Sequence, residues 1–460
     1  LKAAASTPRL LKEGITMTQL VGTHSDPDAA SATSTLSGRR AVIAAIVGNT
    51  LEWYDFAVYG FFALTLAKLF FPTGDPTVSL LLTVATFGVG FIMRPVGALV
   101  LGTLADRRGR KLALSLTILL MALGTAMIGL APTYATAGAW APAIIVLARL
   151  IQGFSAGGEI GGATAFLVEH APPARRGLYA SWQQASQAGA LLLGSLTGAL
   201  LTGLLPAADI EAWGWRVPFL LGLLIAPVGL FIRFRVSETD SFKAILRERA
   251  ARPEASFSPL RDTLGKHRSA VFVGFGITIA WTVCTYFFLV TMPTYAVRQL
   301  GVPQSASFLA NSVGLVLIVI LAPVFGAWSD KVGRRPIMLA AACGILLSCW
   351  PLLFWLTHQP SVVNLVLAQI VFAVLIAGFS GPAPAAMAEL YPPAMRSTGL
   401  SIAYNLAVTI FGGFAPFITT WLIVQTGSSL APAWYVMLAA AISLTTLTAS
   451  SGLIRGAGER

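Results

Sequence analysis

Long apolar stretches alternate with short polar connections along almost the whole chain. Twelve such stretches fall near 41–71, 78–104, 112–131, 141–168, 177–205, 214–233, 269–298, 305–328, 337–357, 361–388, 398–426 and 431–453. Each is long enough to cross a bilayer as a helix, which takes about 20 residues. The only long polar connection, 234–268, lies between the sixth and seventh stretches. The pattern predicts an all-α integral membrane protein: a six-helix bundle over 41–233, a central loop over 234–268 and a second six-helix bundle over 269–453. Residues 1–40 and 454–460 are the tails. The first is rich in Ala, Ser and Thr and lacks the basic start, apolar stretch and cleavage site of a signal peptide. It is expected to be disordered and cytoplasmic. Met17 offers an alternative start, in which case residues 1–16 precede the natural chain.

Composition agrees with the pattern. Charged residues make up 11% of the chain and mean hydropathy is +0.75, whereas a soluble domain carries about 25% charged residues. The net charge of +12 does not point to nucleic acid, because the basic residues cluster in the connections between apolar stretches. Of 31 Lys and Arg, 26 fall in the two tails and in every second connection, including "DRRGRK", "ARRG", the central loop and "DKVGRR". By the positive-inside rule, both termini and the central loop are expected in the cytoplasm. The remaining five are Lys68, Arg94, Arg149, Arg216 and Arg298. Lys68, Arg216 and Arg298 sit at outer helix ends, where long side chains snorkel; Arg94 and Arg149 do not. The three cysteines and four histidines show no disulfide or metal-ligand spacing. A phosphate-binding G-x-x-x-x-G-K-[ST] motif does not occur.

The chain repeats itself. "GTLADRRGRK" begins at Gly102 and "GAWSDKVGRR" at Gly326, both reading G-x-x-x-D-x-x-G-R-[KR], 224 residues apart. "EHAPPARRG" from Glu169 and "ELYPPAMRS" from Glu389 form a second pair. Duplicated six-helix halves are a transporter architecture, with the substrate bound between the halves near the midplane. The first repeat places Gly102, Asp106, Gly109 and Arg110, and the second Gly326, Asp330, Gly333 and Arg334, at cytoplasmic helix ends. Glycine permits close backbone approach there, and Asp accepts from helix N-termini or arginines. This is the composition of a conformational latch.

Intramembrane charge is the other signal, since each such group costs on the order of 2.5–3.5 kcal/mol on insertion scales. "GNTLEWYDFAVYG", starting at Gly48, places Glu52 and Asp55 three apart, on one side of the first helix with Asn49. Glu52 lies roughly 17 Å from the cytoplasmic end of its helix and Arg149 roughly 12 Å from the outer end of the fourth, so their depths are similar. Arg94 and Glu159 are also close in depth. Two acid–arginine pairs follow: Glu52 or Asp55 with Arg149, and Glu159 with Arg94. The first suits proton coupling, because burial disfavours a charged carboxylate while a neighbouring guanidinium favours it. A substrate that takes over the Arg would release the acid to bind a proton. Glu52, Asp55, Arg149 and Glu159 are therefore the candidate coupling residues. Asn49, Arg94, Arg149, Gln183 and Gln187 in "SWQQASQ", and Tyr404 and Asn405 are the candidate substrate contacts. The plainer alternatives are ion pairs and interhelical hydrogen bonds that only fix packing. The glycines of "GGEIGG" and the aromatics Trp53, Trp281 and Trp350 read as packing or interface residues.

These motifs together resemble the metabolite:proton symporter family of the major facilitator superfamily. The resemblance runs from about residue 40 to the last helix and rests on "GNTLEWYDFAVYGFFA", "FIMRPVGA", "GTLADRRGRK", "RLIQGFSAGGEIGGA", "WGWRVPF", "DKVGRR" and "SIAYNLAVTIFGGFAPF". "RLIQGFSAG" is similar to the R-x-x-Q-G-x-x-x-G motif of proton-coupled members. The resemblance implies proton-driven import of a small organic acid across a bacterial inner membrane by alternating access, without a cofactor or nucleic acid and as a monomer. "ASWQQASQAG" and "AYNLAVTIFGGFAPF" look most like the citrate and tricarballylate symporters, whereas "LEWYDF" looks more like the oxoglutarate, shikimate and proline/betaine members. A citrate-like tricarboxylate is the first expectation, an oxoglutarate- or shikimate-type acid the second and a proline/betaine-type zwitterion the third. A sensor is disfavoured for want of an output domain, and an enzyme for want of a nucleophile–base or metal constellation. A channel would not need coupled carboxylates.

Overall fold

In a computed structural model, residues 49–50, 53–108, 110–223, 227 and 259–453 are described. The two tails, most of the central loop, Glu52 and Gly109 lie outside them, as do the side chains of Asp106, Arg110 and Glu159.

The described residues are all-α, and their helical segments fall in twelve successive positions. In chain order they are α1 (53–61, continuing as Ala63–Phe70), α2 (Pro76–Arg108), α3 (Arg110–Gly129), α4 (Trp140–Ala156, continuing as Glu159–Glu169), α5 (Arg176–Leu204) and α6 (described over 216–223). The second half contains α7 (Arg268–Cys284, a π-turn Thr285–Thr291, then Met292–Leu300), α8 (Gln304–Val332), α9 (Arg334–His358) and α10 (Val362–Ser380, continuing as Ala383–Glu389). It closes with α11 (Arg396–Ala407, a π-turn Val408–Gly412, then Ala415–Thr426) and α12 (Ala431–Ala449). Among the described residues, nine helices are long and apolar enough to cross a membrane, and Ser115–Gly129 is a shorter apolar one. Large apolar side chains such as Leu147, Leu200, Phe272, Leu347 and Val363 point outward, as a surface facing lipid requires. Within 234–268 the sequence suggested only loop; Pro259–Lys266 is helical, with Thr263 buried.

The duplication is written into the helix irregularities. α4 breaks at Gly157–Gly158 and α10 at Gly381–Pro382, positions related by the same shift of 224 as the glycine–aspartate motifs. α1 turns at Phe62, and the same shift leads to the π-turn of α7. Broken helices of this kind place irregular backbone where it faces the protein interior.

Small residues set the helix spacing. On the α2–α4 seam, a Cβ on Gly153 would collide with the Gly90 carbonyl, and one on Gly97 with the Phe154 carbonyl. Only glycine allows these two backbones to touch, the usual route to close packing where lipid supplies no hydrophobic drive. The halves meet along several seams, two of them built on hydroxyl bonds to backbone. Between α5 and α8, the Ser195 hydroxyl donates to the Phe308 carbonyl (2.8 Å) and the Ser312 hydroxyl to Ser195 Oγ (3.1 Å). Between α2 and α11, the Thr409 hydroxyl donates to the Phe91 carbonyl (2.9 Å).

Candidate functional site

The second glycine–aspartate repeat ties α8 to α5. Asp330, at the end of α8, accepts from the backbone N–H of Gly177 (2.8 Å) and Leu178 (3.0 Å), which open α5 in the other half. The start of a helix has unpaired N–H groups and a positive dipole end, so it suits a carboxylate. Arg334 binds Asp330 (2.7 Å) and Glu389 (3.2 Å) and donates to Ser329 Oγ (2.7 Å). Gly333 stands at φ 95°, where the chain turns from α8 into α9. Gly326 lies against Gly177, its added Cβ meeting the Gly177 carbonyl at 2.6 Å. The proline-containing repeats also bond across the halves, with Arg396 on α11 pairing with Glu169 on α4 (3.4 Å). In the first repeat, Gly102 has no described neighbour against an added Cβ, so the close approach expected of both glycines is found at Gly326 alone. The Asp106 and Arg110 side chains and Gly109 lie outside the described residues.

Deeper in the first half sits Arg149, fully buried. Its guanidinium lies over the rings of Phe56, Tyr59 and Phe87, at 4.7, 4.7 and 4.9 Å from their centroids. Such stacking is worth about 2 kcal/mol or more for a desolvated cation. Nη1 donates to Gln152 Oε1 (2.9 Å) and Nη2 to the Phe87 carbonyl (3.4 Å). The expected direct pairing of Asp55 with Arg149 is replaced by a relay. Gln152 Nε2 donates to the Thr125 hydroxyl (3.1 Å), and Thr125 in turn donates to Asp55 Oδ2. The order is Arg149–Gln152–Thr125–Asp55, across α4, α3 and α1. Thr125 also lies within bonding distance of the Met121 carbonyl (2.9 Å), so its single proton has two destinations. The other Asp55 oxygen has no hydrogen-bond partner among the described residues and rests against Gly222 of α6. Direct pairing fails because Asp55 points from α1 towards α3 and α6, while aromatic rings surround Arg149.

Arg94 is also fully buried, with its guanidinium over Phe91 (5.3 Å) and Phe56 (5.7 Å) and Nη2 donating to the Ala156 carbonyl (3.4 Å). The other proposed partners, Glu52 for Arg149 and Glu159 for Arg94, fall outside the described residues.

The candidate polar contacts are all buried and form two groups. Asn49 on α1 donates to the Gln183 carbonyl (3.1 Å) and the Ser186 hydroxyl (2.8 Å), and Thr164 donates to Gln183 Oε1. On the side facing the second half, Trp281 of α7 donates its indole N–H to Gln184 Oε1 (3.0 Å), and Gln184 Nε2 donates to Gln187 Oε1 (3.0 Å). Tyr404 packs edge-on against Trp281, at 5.2 Å between ring centroids. Asn405 donates to the Gly157 carbonyl (2.8 Å), at the break in α4. Trp281, read from sequence as packing, is thus a polar partner within the site. Thr125 was also missed; a threonine in an apolar span gives no signal unless its distant partner is known. Gln152 stood in the quoted "RLIQG" but was given no role there.

Comparison with known proteins finds transporters of differing substrates. A family model described as "Sugar (and other) transporter" matches residues 41–268 and 237–449. The citrate-proton symporter of Salmonella typhi is 38% identical, covering 90% of this chain and 94% of that protein. The proline/betaine transporter of Salmonella typhimurium is 34% identical, covering 89% of this chain and 82% of that protein. The partially occluded inward-open xylose transporter XylE from E. coli superposes with a TM-score of 0.72 at 17% identity, covering 92% of this chain and 99% of that one.

Proposed function

Starting from a chain that belongs to the sugar (and other) transporter family, and within the major facilitator superfamily to the metabolite:proton symporters, we propose that it imports a small organic carboxylate together with protons, a citrate-like tricarboxylate first. The observation that carries this reading is the buried Arg149–Gln152–Thr125–Asp55 relay. A guanidinium deep in the protein is a receptor for a carboxylate, and a buried carboxylate joined to it through two intervening residues is a receptor for a proton.

The coupling follows from these contacts. A substrate carboxylate reaching Arg149 competes with Gln152 for the guanidinium. Gln152, freed from Arg149, no longer holds Thr125 in one orientation, and Thr125 can turn its proton to the Met121 carbonyl. Asp55 then loses its donor, and its neutral form becomes the one the apolar surroundings favour. Run in reverse, protonation of Asp55 loosens the relay and exposes Arg149 to substrate. Each ligand therefore promotes the other's binding, as thermodynamic linkage requires. Glu52 and Glu159 remain candidates for the same role.

In this reading the protein is a monomer in a bacterial-type inner membrane, needs no cofactor and no nucleic acid, and draws its energy from the proton gradient. The latch face is cytoplasmic, as are both termini and the central loop. Asp330 and its contacts close that face when the site opens outward, and release it during the cycle. The test is uptake into proteoliposomes of labelled citrate, tricarballylate, oxoglutarate, shikimate, proline and betaine under an imposed pH gradient. Carboxylates, citrate foremost, should accumulate when the outside is acid and cease to accumulate with a protonophore. Accumulation of proline or betaine alone would replace the carboxylate reading with a zwitterion one. Uptake that ignores collapse of the gradient would indicate a uniporter or channel.

A further inference from the structure

The amides on α5 have a fixed sense. An indole N–H only donates. Trp281 donates to Gln184 (3.0 Å), so the oxygen of that amide faces Trp281 and its nitrogen faces Gln187. Gln187 must therefore accept with its oxygen, which turns its own NH2 away from Gln184. That nitrogen is buried and has no partner among the described residues. An unpaired buried amide donor costs about 1–3 kcal/mol of lost solvation, a cost that a bound acceptor would remove. Asn49, held against the same turn of α5, is fixed in the opposite sense. Its nitrogen donates to the Gln183 carbonyl and the Ser186 hydroxyl, and its oxygen is left buried without a partner. Around one turn of α5 there is thus one unused donor, on Gln187, and one unused acceptor, on Asn49.

We propose that Trp281 acts as a positioning residue that fixes Gln187 as a donor to a substrate carboxylate, while Asn49 accepts from a substrate hydroxyl, so that the site selects a hydroxycarboxylate over the same acid without its hydroxyl. This rests on the carboxylate reading of the site. Trp281 itself need not touch the substrate: it acts through Gln184 and Gln187. Its position on α7, in the second half, means that the donor is set only while the two halves meet at this point. Separating Trp281 from Gln184 would free both amides to rotate and weaken the hold on the ligand.

The experiment is proton-driven uptake of citrate and of propane-1,2,3-tricarboxylate, which lacks the hydroxyl, by the full-length protein in proteoliposomes. Wild type should favour citrate in KM, and Asn49→Leu should bring the two acids close together. Gln187→Leu should raise the KM for citrate about tenfold, the loss of one charge-assisted hydrogen bond. Trp281→Phe keeps the ring but removes the N–H, and should raise it about three- to tenfold, with the smaller effect on maximal rate. The double variant should be no worse than Gln187→Leu alone, because Trp281 acts through Gln187; a residue that merely packs would add its own loss. Gln187→Glu, of the same shape but offering only acceptors, should be at least as impaired as Gln187→Leu. Unchanged KM in Gln187→Leu and Gln187→Glu, or losses that multiply in the double variant, would overturn the role of Trp281. Equal wild-type KM for the two acids would overturn the role of Asn49. In either case citrate uptake by wild type would leave the carboxylate reading standing. Wild-type uptake of zwitterions alone would overturn both.

Discussion

Arg149 is held by three aromatic rings and a neutral amide, with no described carboxylate in direct contact. That arrangement keeps a buried cation in place without neutralising it, and so leaves its charge available to an anion. Two predictions belong to these residues. Arg149→Ala should abolish both accumulation and exchange of a carboxylate, and Arg149→Lys should restore only part, because an ammonium does not reproduce the forked contact of a guanidinium; initial-rate uptake and counterflow measure the two activities. Thr125→Val should reduce proton-driven accumulation about tenfold, the scale of a lost hydrogen bond, with little change in substrate affinity; Thr125→Ser should restore it. Equal loss of affinity and accumulation would place Thr125 in substrate binding instead. That Arg149, Arg94 and Asp55 are charges held inside apolar stretches was legible in the sequence, and the structure buries all three. Their partners were not legible there. Which way Asp55 points around its helix depends on the rotation of α1 against α3 and α6, a tertiary property that spacing along one helix does not contain.

The helices divide into rigid seams and breakable ones. The α2–α4 seam is glycine against backbone, with no room for a methyl group. Gly153→Ala should therefore destabilise the first half by on the order of 1–3 kcal/mol or more, since the obstacle is a carbonyl that cannot rotate away; a lowered thermal transition of the purified protein would show it, and an unchanged transition would deny the close approach. The latch seam is instead made of charge. Asp330 meets the N-terminal N–H groups of α5 and the Arg334 guanidinium, and both partners of that pair are almost fully buried. Asp330→Asn should remove the charge that the α5 N-terminus and Arg334 require. Transport should fall well below wild type while equilibrium substrate binding is largely kept, because the contacts of Asp330 and those of Arg149 share no residue. Binding lost as severely as transport would count against a gating role. The motif spacing singled out Asp330 and Arg334, but not that Asp330 reaches across to α5; the partner of a helix-end carboxylate is another backbone, which has no sequence signature.

Over the whole molecule, the repeat predicts the architecture well. The shift of 224 relates the two glycine–aspartate motifs and also the breaks in α4 and α10. Hydrophobic length placed most of the spans to within a few residues, because membrane thickness fixes helix length directly. The π-turns in α7 and α11 were not foreseen, since they record how one helix yields to another. Topology has its own test: cysteines introduced at positions 240–265 should react with impermeant reagents only from the cytoplasmic side, and labelling from outside would break both the orientation and the role given to the latch.

Coupling joins these scales, and Asp55 is where it can be isolated. Asp55→Asn keeps the shape of the side chain while fixing it in a neutral form, like the protonated acid. In proteoliposomes, the variant should still exchange internal for external citrate but fail to concentrate it when the outside is made acid. Accumulation against the gradient with wild-type pH dependence would contradict the relay and move the proton site to Glu52 or Glu159.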